Sequence, residues 1–468
     1  PSVIPVDAGD DLGHGVPHFV RALRSGVQRM VDSRVMESGG IRRSIPLVAF
    51  PLLGGAAGGG ASVRGEIVGA LVEQAHLLAA EHRIDLCLVT RSPQARAAAF
   101  SWRSALGLRP GLSGELDQVV GRLAQLARSG RLVAFLGAGV GAAAGAPTWG
   151  KLLRSLALEL GWDDDHVERL RELDPLDQAD LIGRKLEASE RELGETVRDL
   201  VTTRGIPLTA MDLAALPIAE AATTNYDQLF EDAAAALGRP VAPLPFVSPA
   251  TFDRWLVKLH GCVTHPRTIK LARPDYLRRQ DGDYALAGVV QAMLLTKHML
   301  FVGFSLTDPT FHRIVHDVRA AVGEPAARPD PRPFGTALTL GSPGPLGDLW
   351  RGSIDLVTLG DPEGASTAEQ MLVAARQVEL VLDALLDRCS DSESYLLAPD
   401  FGGALTPEER EDREHLESLV GLDLKSEAGR AALSRFVTAL GAEALGAPAD
   451  IKYMFTSGRR RPERPITR

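Results

Sequence analysis

Between residues 132 and 150 lies the uncharged run LVAFLGAGVGAAAGAPTWG. Five apolar residues, Leu132 to Leu136, stop abruptly at a glycine cluster. A short continuous apolar run bounded this way predicts a strand buried on both faces. The glycines and Pro147 exclude a plain apolar membrane helix, and Ile45 to Val63 is interrupted in the same manner. The pattern returns in AEAATTN, WLVKLHG, HMLFVGFS, GTALTLG and IDLVTLG. Each of these segments ends near a polar or glycine cluster, and helical text separates most of them. That alternation predicts an α/β fold with a doubly wound parallel sheet.

A smaller α/β unit precedes it. IPLVAFPLLGG reads as a buried strand ending in glycines, VRGEIVGALVEQAHLLAAEHR as an amphipathic helix, and IDLCLVT as a second buried strand. The turn-rich stretch GLRPGLSGE, residues 107–115, separates the two units. Residues 150–215 are helical and charged. After residue 360, Ser366 and Glu369 have the spacing of a capping box. Met371, Ala375, Val378, Leu382 and Leu385 then trace one helical face. Thr406, Pro407 and Glu409 open a further helix. The expected division is therefore 1–112, 113–360 and 361–468, the last being helical with a disordered basic tail.

A length of 468 residues accommodates two or three domains, each with its own core. The net charge of −9 argues against a broad nucleic-acid-binding face. Cys87, Cys262 and Cys389 are far apart and show neither redox nor metal-ligand spacing, which fits a reducing cytoplasm. No metal site is expected.

Gly137, Gly139 and Ala142 satisfy the G-x-G-x-x-[GA] pattern. Glycine lets backbone N–H groups approach a diphosphate, and a following helix N-terminus adds positive partial charge. The alternative is a tight structural bend. No acidic residue closes a second strand some 20 residues on, so a plain dehydrogenase is not indicated. Asn225 is the sole asparagine of the chain, and only seven of the 51 Lys+Arg are lysine. That bias points to a genome poor in Asn and Lys codons, which makes the surviving Asn225 a candidate functional residue.

These residues resemble a family. GAGVGAAAGAPTW is similar to the sirtuin pattern Gly-Ala-Gly-x-Ser-x-x-x-Gly-Ile-Pro, matched at Gly137, Ala138, Gly139, Gly145 and Pro147. Gly141 stands where sirtuins have serine and Ala146 where they have isoleucine. Trp149 and GKLL follow in place of the sirtuin Phe-Arg pair. This form is similar to the sirtuin-like NAD-consuming effectors of bacterial phage defence, including those of Thoeris-type systems. TTNYD answers to the second motif, KLHG to the third and LFVGFSLTDP to the fourth, in family order across residues 132–310. The resemblance implies that Asn225 and His260 are catalytic. It also implies that Gly137, Ala138, Gly139, Pro147, Thr224, Asp227, Gly303, Ser305 and Asp308 hold NAD, which is substrate rather than resident cofactor.

The chemistry agrees. Loss of nicotinamide builds positive charge on the ribose, as in glycoside hydrolysis. A neutral amide such as Asn225 both donates and accepts, and so orients the ribose hydroxyls and water. His260 titrates near neutral pH and can take the proton. Asp227 would accept hydrogen bonds from the nicotinamide carboxamide. Competing structural readings remain for five residues. Asn225 is also a favoured N-cap for YDQLFEDAAAAL, as are Thr224 and Asp227. Asp308 followed by Pro309 is a helix start. His260 fits a strand-end histidine.

Three isolated cysteines cannot build the two Cys-x-x-Cys pairs of the zinc module that deacylating sirtuins usually carry. Hydrolysis of NAD is thereby favoured over protein deacylation, and the presence of both Asn225 and His260 favours it over a non-catalytic NAD- or ADP-ribose-binding regulator. The N-terminal unit resembles macro-type ADP-ribose-binding domains through VAFPLLGGAAGGG and RIDLCLVT, and so a sensor of an ADP-ribose-like signal is expected there. Homo-oligomerisation is expected from the family, and a membrane partner is not.

Overall fold

The computed structural model describes residues 15–33, 43–53, 63–90, 92–203, 205–278, 281–323, 332–360, 367–390, 393–420 and 426–439. They fall into two compact units. One comprises Pro1–Gly39, Ile45–Pro110 and Ser390–Arg468; the other comprises Gly40–Ser44 and Gly111–Cys389.

In the first unit, β1 (Leu47–Pro51) pairs in parallel with β2 (Asp85–Val89). A parallel pair needs a crossover, and the helix Arg64–His82 supplies it. Its buried Ile67, Leu71 and Leu78 pack with Phe19, Leu23 and Val48. On the other side Val68 joins Ala98, Tyr395 and Phe401, so chain from beyond residue 390 completes this core. The helix Pro407–Val420 opens with the expected box: Thr406 N–H donates to Glu409 at 2.9 Å and Glu409 N–H to Thr406 Oγ1 at 3.2 Å. Among the described residues this unit has two strands. The glycine loop behind the macro-type resemblance, residues 54–62, lies outside the described residues, as does the basic tail; the likeness to a macro-type domain is unconfirmed.

The second unit is built on seven parallel strands: β3 (Leu132–Leu136), β4 (Glu220–Thr223), β5 (Ala242–Leu244), β6 (Trp255–Lys258), β7 (His298–Val302), β8 (Gly335–Leu340) and β9 (Ile354–Leu359). Their order is β5-β6-β4-β3-β7-β8-β9. The central β3 is buried at all five positions, as a strand covered by helices on both faces must be. The chain builds outward from β3 to one side, then crosses to β7 on the other. Ligands of open α/β sheets bind outside the carboxyl ends of the strands at such a reversal. β5 is absent from the sequence expectation: three residues with a proline at their centre carry almost no strand pattern, and proline is tolerated because this is an edge strand.

Val133 and Phe135 face the helices Asp281–Thr296 and Pro309–Val322. The Phe135 ring lies 5.5, 4.5 and 5.2 Å from the rings of Phe301, Phe304 and Phe311. A separate helical cluster, residues 149–200, closes around Leu156, Ile182 and Leu186 and takes in Tyr226 and Leu271. The long helix Ala368–Cys389, which sequence assigns to the segment after residue 360, packs on β8, β9 and the helices Gly114–Arg128 and Leu208–Ala215. Its opening box is made by Thr367 and Gln370, which exchange bonds of 2.9 and 3.2 Å. Ser366 lies outside the described residues. Val378, Leu382 and Leu385 are buried on the expected face.

Phe135→Ala is expected to lower unfolding stability by about 3–5 kcal/mol, because the ring is fully enclosed by three others. A urea melt reads this; a loss under about 1 kcal/mol would show that the cluster does not carry the core.

Candidate functional site

The carboxyl ends of β3, β4, β6, β7 and β8 open into a cavity of about 940 Å³ within the second unit. That is the size of a pocket for a large organic ligand. Asn225, Thr224 and Asp227 follow β4, and His260 follows β6. Ala138 and Gly139 follow β3, with Pro147 just beyond; Gly303, Ser305 and Asp308 follow β7. All of these line the cavity. Gly137 sits one step back, and its carbonyl accepts a 2.9 Å bond from Asn225 Nδ2.

That bond settles the capping alternative for Asn225. Its side chain reaches across to the β3 loop, while its own N–H donates to Thr223 Oγ1 at 2.9 Å. Thr223 Oγ1 in turn donates to the Leu136 carbonyl at 2.9 Å. Asn225 is thus held from two strands, through its side-chain nitrogen and its backbone N–H. The helix Leu229–Ala236 has Gln228 at its N-cap, and Asp227, one residue earlier, accepts from Leu229 N–H at 3.0 Å.

The glycine loop works differently from the sequence expectation. Gly137 N–H donates to Val302 O at 3.0 Å and Gly139 N–H to Gly303 O at 2.9 Å. These two amides are therefore used between loops, not offered to a diphosphate. The glycines are needed because a Cβ at Gly137 would lie 2.3 Å from Gly303 O. Gly303 itself has φ +65° and would set a Cβ 2.5 Å from Val140 N. The helix Trp149–Glu159 begins at the cavity wall, where its first N–H groups favour an anion. Leu306, also on the wall, holds a left-handed φ of +59°, a costly conformation for leucine that the surrounding packing enforces.

His260 is 1% exposed, and its Nε2 lies 3.4 Å from Asp308 Oδ2. Nε2 has no hydrogen-bond partner among the described residues. Burial pushes the imidazole pKa below its ordinary value, and the Asp308 carboxylate partly offsets this. The ring is therefore neutral at pH 7 and able to accept a proton. Tyr276 meets it edge-on, centroids 5.4 Å apart, with Oη 3.5 Å from Nδ1. Burial raises the Tyr276 pKa, keeping its hydroxyl protonated. Asp308 Oδ1 caps the helix Pro309–Val322 through Phe311 N–H at 2.9 Å, the expected helix start, while Oδ2 faces the histidine. Gly261 beside His260 admits backbone, not ligand, since a Cβ there would meet Thr268 O at 2.2 Å.

Sequence patterns gave no hint of Tyr276, which lies in a short helix after the histidine, or of Lys258, two residues before it. The buried Lys258 Nζ donates to the Asp227 carbonyl at 2.5 Å and pairs with Glu231 at 2.8 Å. Burial disfavours its charge, but Glu231 and Asp227 outweigh that and hold it protonated. Burial also lifts the Asp227 carboxyl above the usual carboxylate range, against the pull of Lys258. Cys262 is buried and accepts from Thr264 Oγ1. His312 bonds the Leu306 carbonyl and rests on Trp350. Among the described residues no group of His, Cys, Asp or Glu is arranged to hold a metal ion, and no helix is long and apolar enough to cross a membrane.

Residues 219–338 match the SIR2-like domain family. The chain is 31% identical over 216 residues to "NAD(+) hydrolase ThsA" of Enterococcus faecium, covering 44% of each chain. It is 30% identical over 195 residues to the protein of the same name from Bacillus cereus (strain MSX-D12), covering 40% of each. It is 24% identical over 223 residues to "Defense-associated sirtuin 2" of Bacillus subtilis, covering 44% of this chain and 21% of that one. The alignments thus span less than half the length of these relatives.

Removing one partner of a buried ion pair leaves an uncompensated charge. Lys258→Met should lower stability by about 3–5 kcal/mol in chemical denaturation. Lys258→Met with Glu231→Leu should recover most of the loss; a double variant as weak as the single one would mean that Lys258 acts through its bond to the Asp227 carbonyl.

Proposed function

We propose that this chain, which carries a SIR2-like domain, hydrolyses NAD to nicotinamide and ADP-ribose. The observation that carries this is the convergence, on one cavity wall, of an amide held by the β3 loop and a buried, neutral imidazole. NAD lies with its nicotinamide ribose against Asn225 and His260. Its diphosphate lies beside the β3 loop and faces the amino-terminal end of Trp149–Glu159. The Asn225 oxygen, left over by the bond to Gly137, accepts from a ribose hydroxyl or the attacking water. The C1′–N bond breaks, nicotinamide leaves with the bonding electrons, and water forms the C1′–O bond. The water proton passes to His260 Nε2, directly or through a ribose hydroxyl, and Asp308 stabilises the resulting imidazolium. Asp227, at the same end, takes the carboxamide of nicotinamide.

The names of the relatives support this reading, and that of the Bacillus subtilis protein supports a role in antiviral defence. Oligomerisation and control by a nucleotide signal belong to the same proposal.

Nicotinamide release from NAD by the purified full chain tests it, with candidate nucleotide signals added and omitted. Asn225→Ala and His260→Ala should each reduce the rate by roughly 10²–10⁴-fold without loss of fold. Release that requires an acyl peptide would replace hydrolysis by deacylation, and absence of release under every condition would leave a binding protein.

The pH profile offers a second check. The active form is neutral His260, whose pKa is depressed, so kcat should hold as pH falls through 6.5 and decline only below it. Asp308→Asn preserves a good N-cap but removes the anion that raises this pKa. The acid limb should then move to still lower pH; a limb that moves upward would contradict the assignment of His260 as base.

A further inference from the structure

Among the described residues the cavity wall contains four carboxylates, Asp174, Asp227, Asp308 and Glu379, and no lysine or arginine. The far end of the cavity is formed by the end of β8, from Leu338 to Ser342, and by the helix Ala368–Cys389. Glu379 projects from that helix and is 7% exposed. Arg43, in the short segment that belongs to this unit, forks onto it with bonds of 2.6 and 2.5 Å. A carboxylate nine-tenths removed from water on a ligand cavity is an expensive feature that packing alone does not require.

The position says what it meets. β4 and β8 are separated by β3 and β7, three strand spacings or roughly 14 Å along the carboxyl edge. With the nicotinamide ribose at Asn225 and the diphosphate at the β3 loop, a dinucleotide laid along that edge brings its adenosine half to β8 and Glu379. Met371, Ala375 and Val378 offer the apolar surface that a purine needs.

We propose that Glu379 is a specificity-determining residue that accepts a hydrogen bond from the adenosine ribose hydroxyls and excludes a 2′-phosphate, making the site selective for NAD over NADP. This rests on the reading of the cavity as an NAD site. The discrimination comes from two terms. A carboxylate is a strong acceptor for a hydroxyl pair, and it repels a phosphate dianion across a cavity lined by no cation. Arg43 holds the carboxylate in place through two bonds, and its own charge is consumed by the pair.

Binding separates this inference from the catalytic reading. NAD and NADP are titrated by calorimetry into the full chain carrying Asn225→Ala, so that neither is turned over, while nicotinamide release is followed separately with the wild-type residue at 225. NAD should bind at least about a hundredfold more tightly than NADP. Adding Glu379→Gln frees the Arg43 guanidinium and should narrow that ratio at least about tenfold through tighter NADP binding. Adding Arg43→Ala breaks the same ion pair yet supplies no cation, so NADP should stay excluded. Equal affinities for the two dinucleotides, no binding of either, or a ratio that shifts alike in both variants would overturn the proposal. Preserved selectivity with no nicotinamide release would instead sink only the hydrolytic reading.

Discussion

The carbonyl of Gly137 is the junction on which the site depends. It accepts from Asn225, while the amides of Gly137 and Gly139 bind the β7 loop at Val302 and Gly303. Three chain segments from β3, β4 and β7 are thereby fixed within one hydrogen-bond length of one another. They approach so closely that a single Cβ on either loop would collide with backbone. Phe135, Phe301 and Phe304 press the same two strands together from below. The position of Asn225 is therefore determined by the centre of the sheet, not by the surface loop that carries it.

Around that junction the electrostatics are arranged by burial. His260 is kept neutral by removal from water, with one carboxylate beside it to tolerate a transient charge. Nearby, the Asp227 carbonyl and the Glu231 carboxylate share a single buried lysine, Lys258. Among the described residues carboxylates dominate the cavity wall, and no lysine or arginine lines it. The helix Trp149–Glu159 begins at that wall, and the N–H groups of a helix start favour an anion.

Much of this was legible before the fold was known. Each strand of the large sheet except β5 is a short apolar run ending at glycine or a polar cluster, and every proposed site residue follows one of those ends. What misled was the physical role of the glycines: G-x-G spacing says that something approaches closely, yet it does not distinguish a phosphate from another loop. The capping question at Asn225 was undecidable for the same reason, because Asn225 and Asp227 are both suited to the helix start. Tyr276, Lys258 and Glu379 were invisible since each is defined by what it faces across a sheet or a cavity.

The order of strands, loops and helices in the second unit, and the chemical types at each strand end, were set by the linear pattern, because apolar periodicity and glycine act locally. Which loops touch, which carboxylate caps and which faces the imidazole, and that a helix beyond residue 367 closes the far end of the cavity were decided only by tertiary structure. Those outcomes depend on contacts between segments tens to hundreds of residues apart, for which no local spacing rule exists.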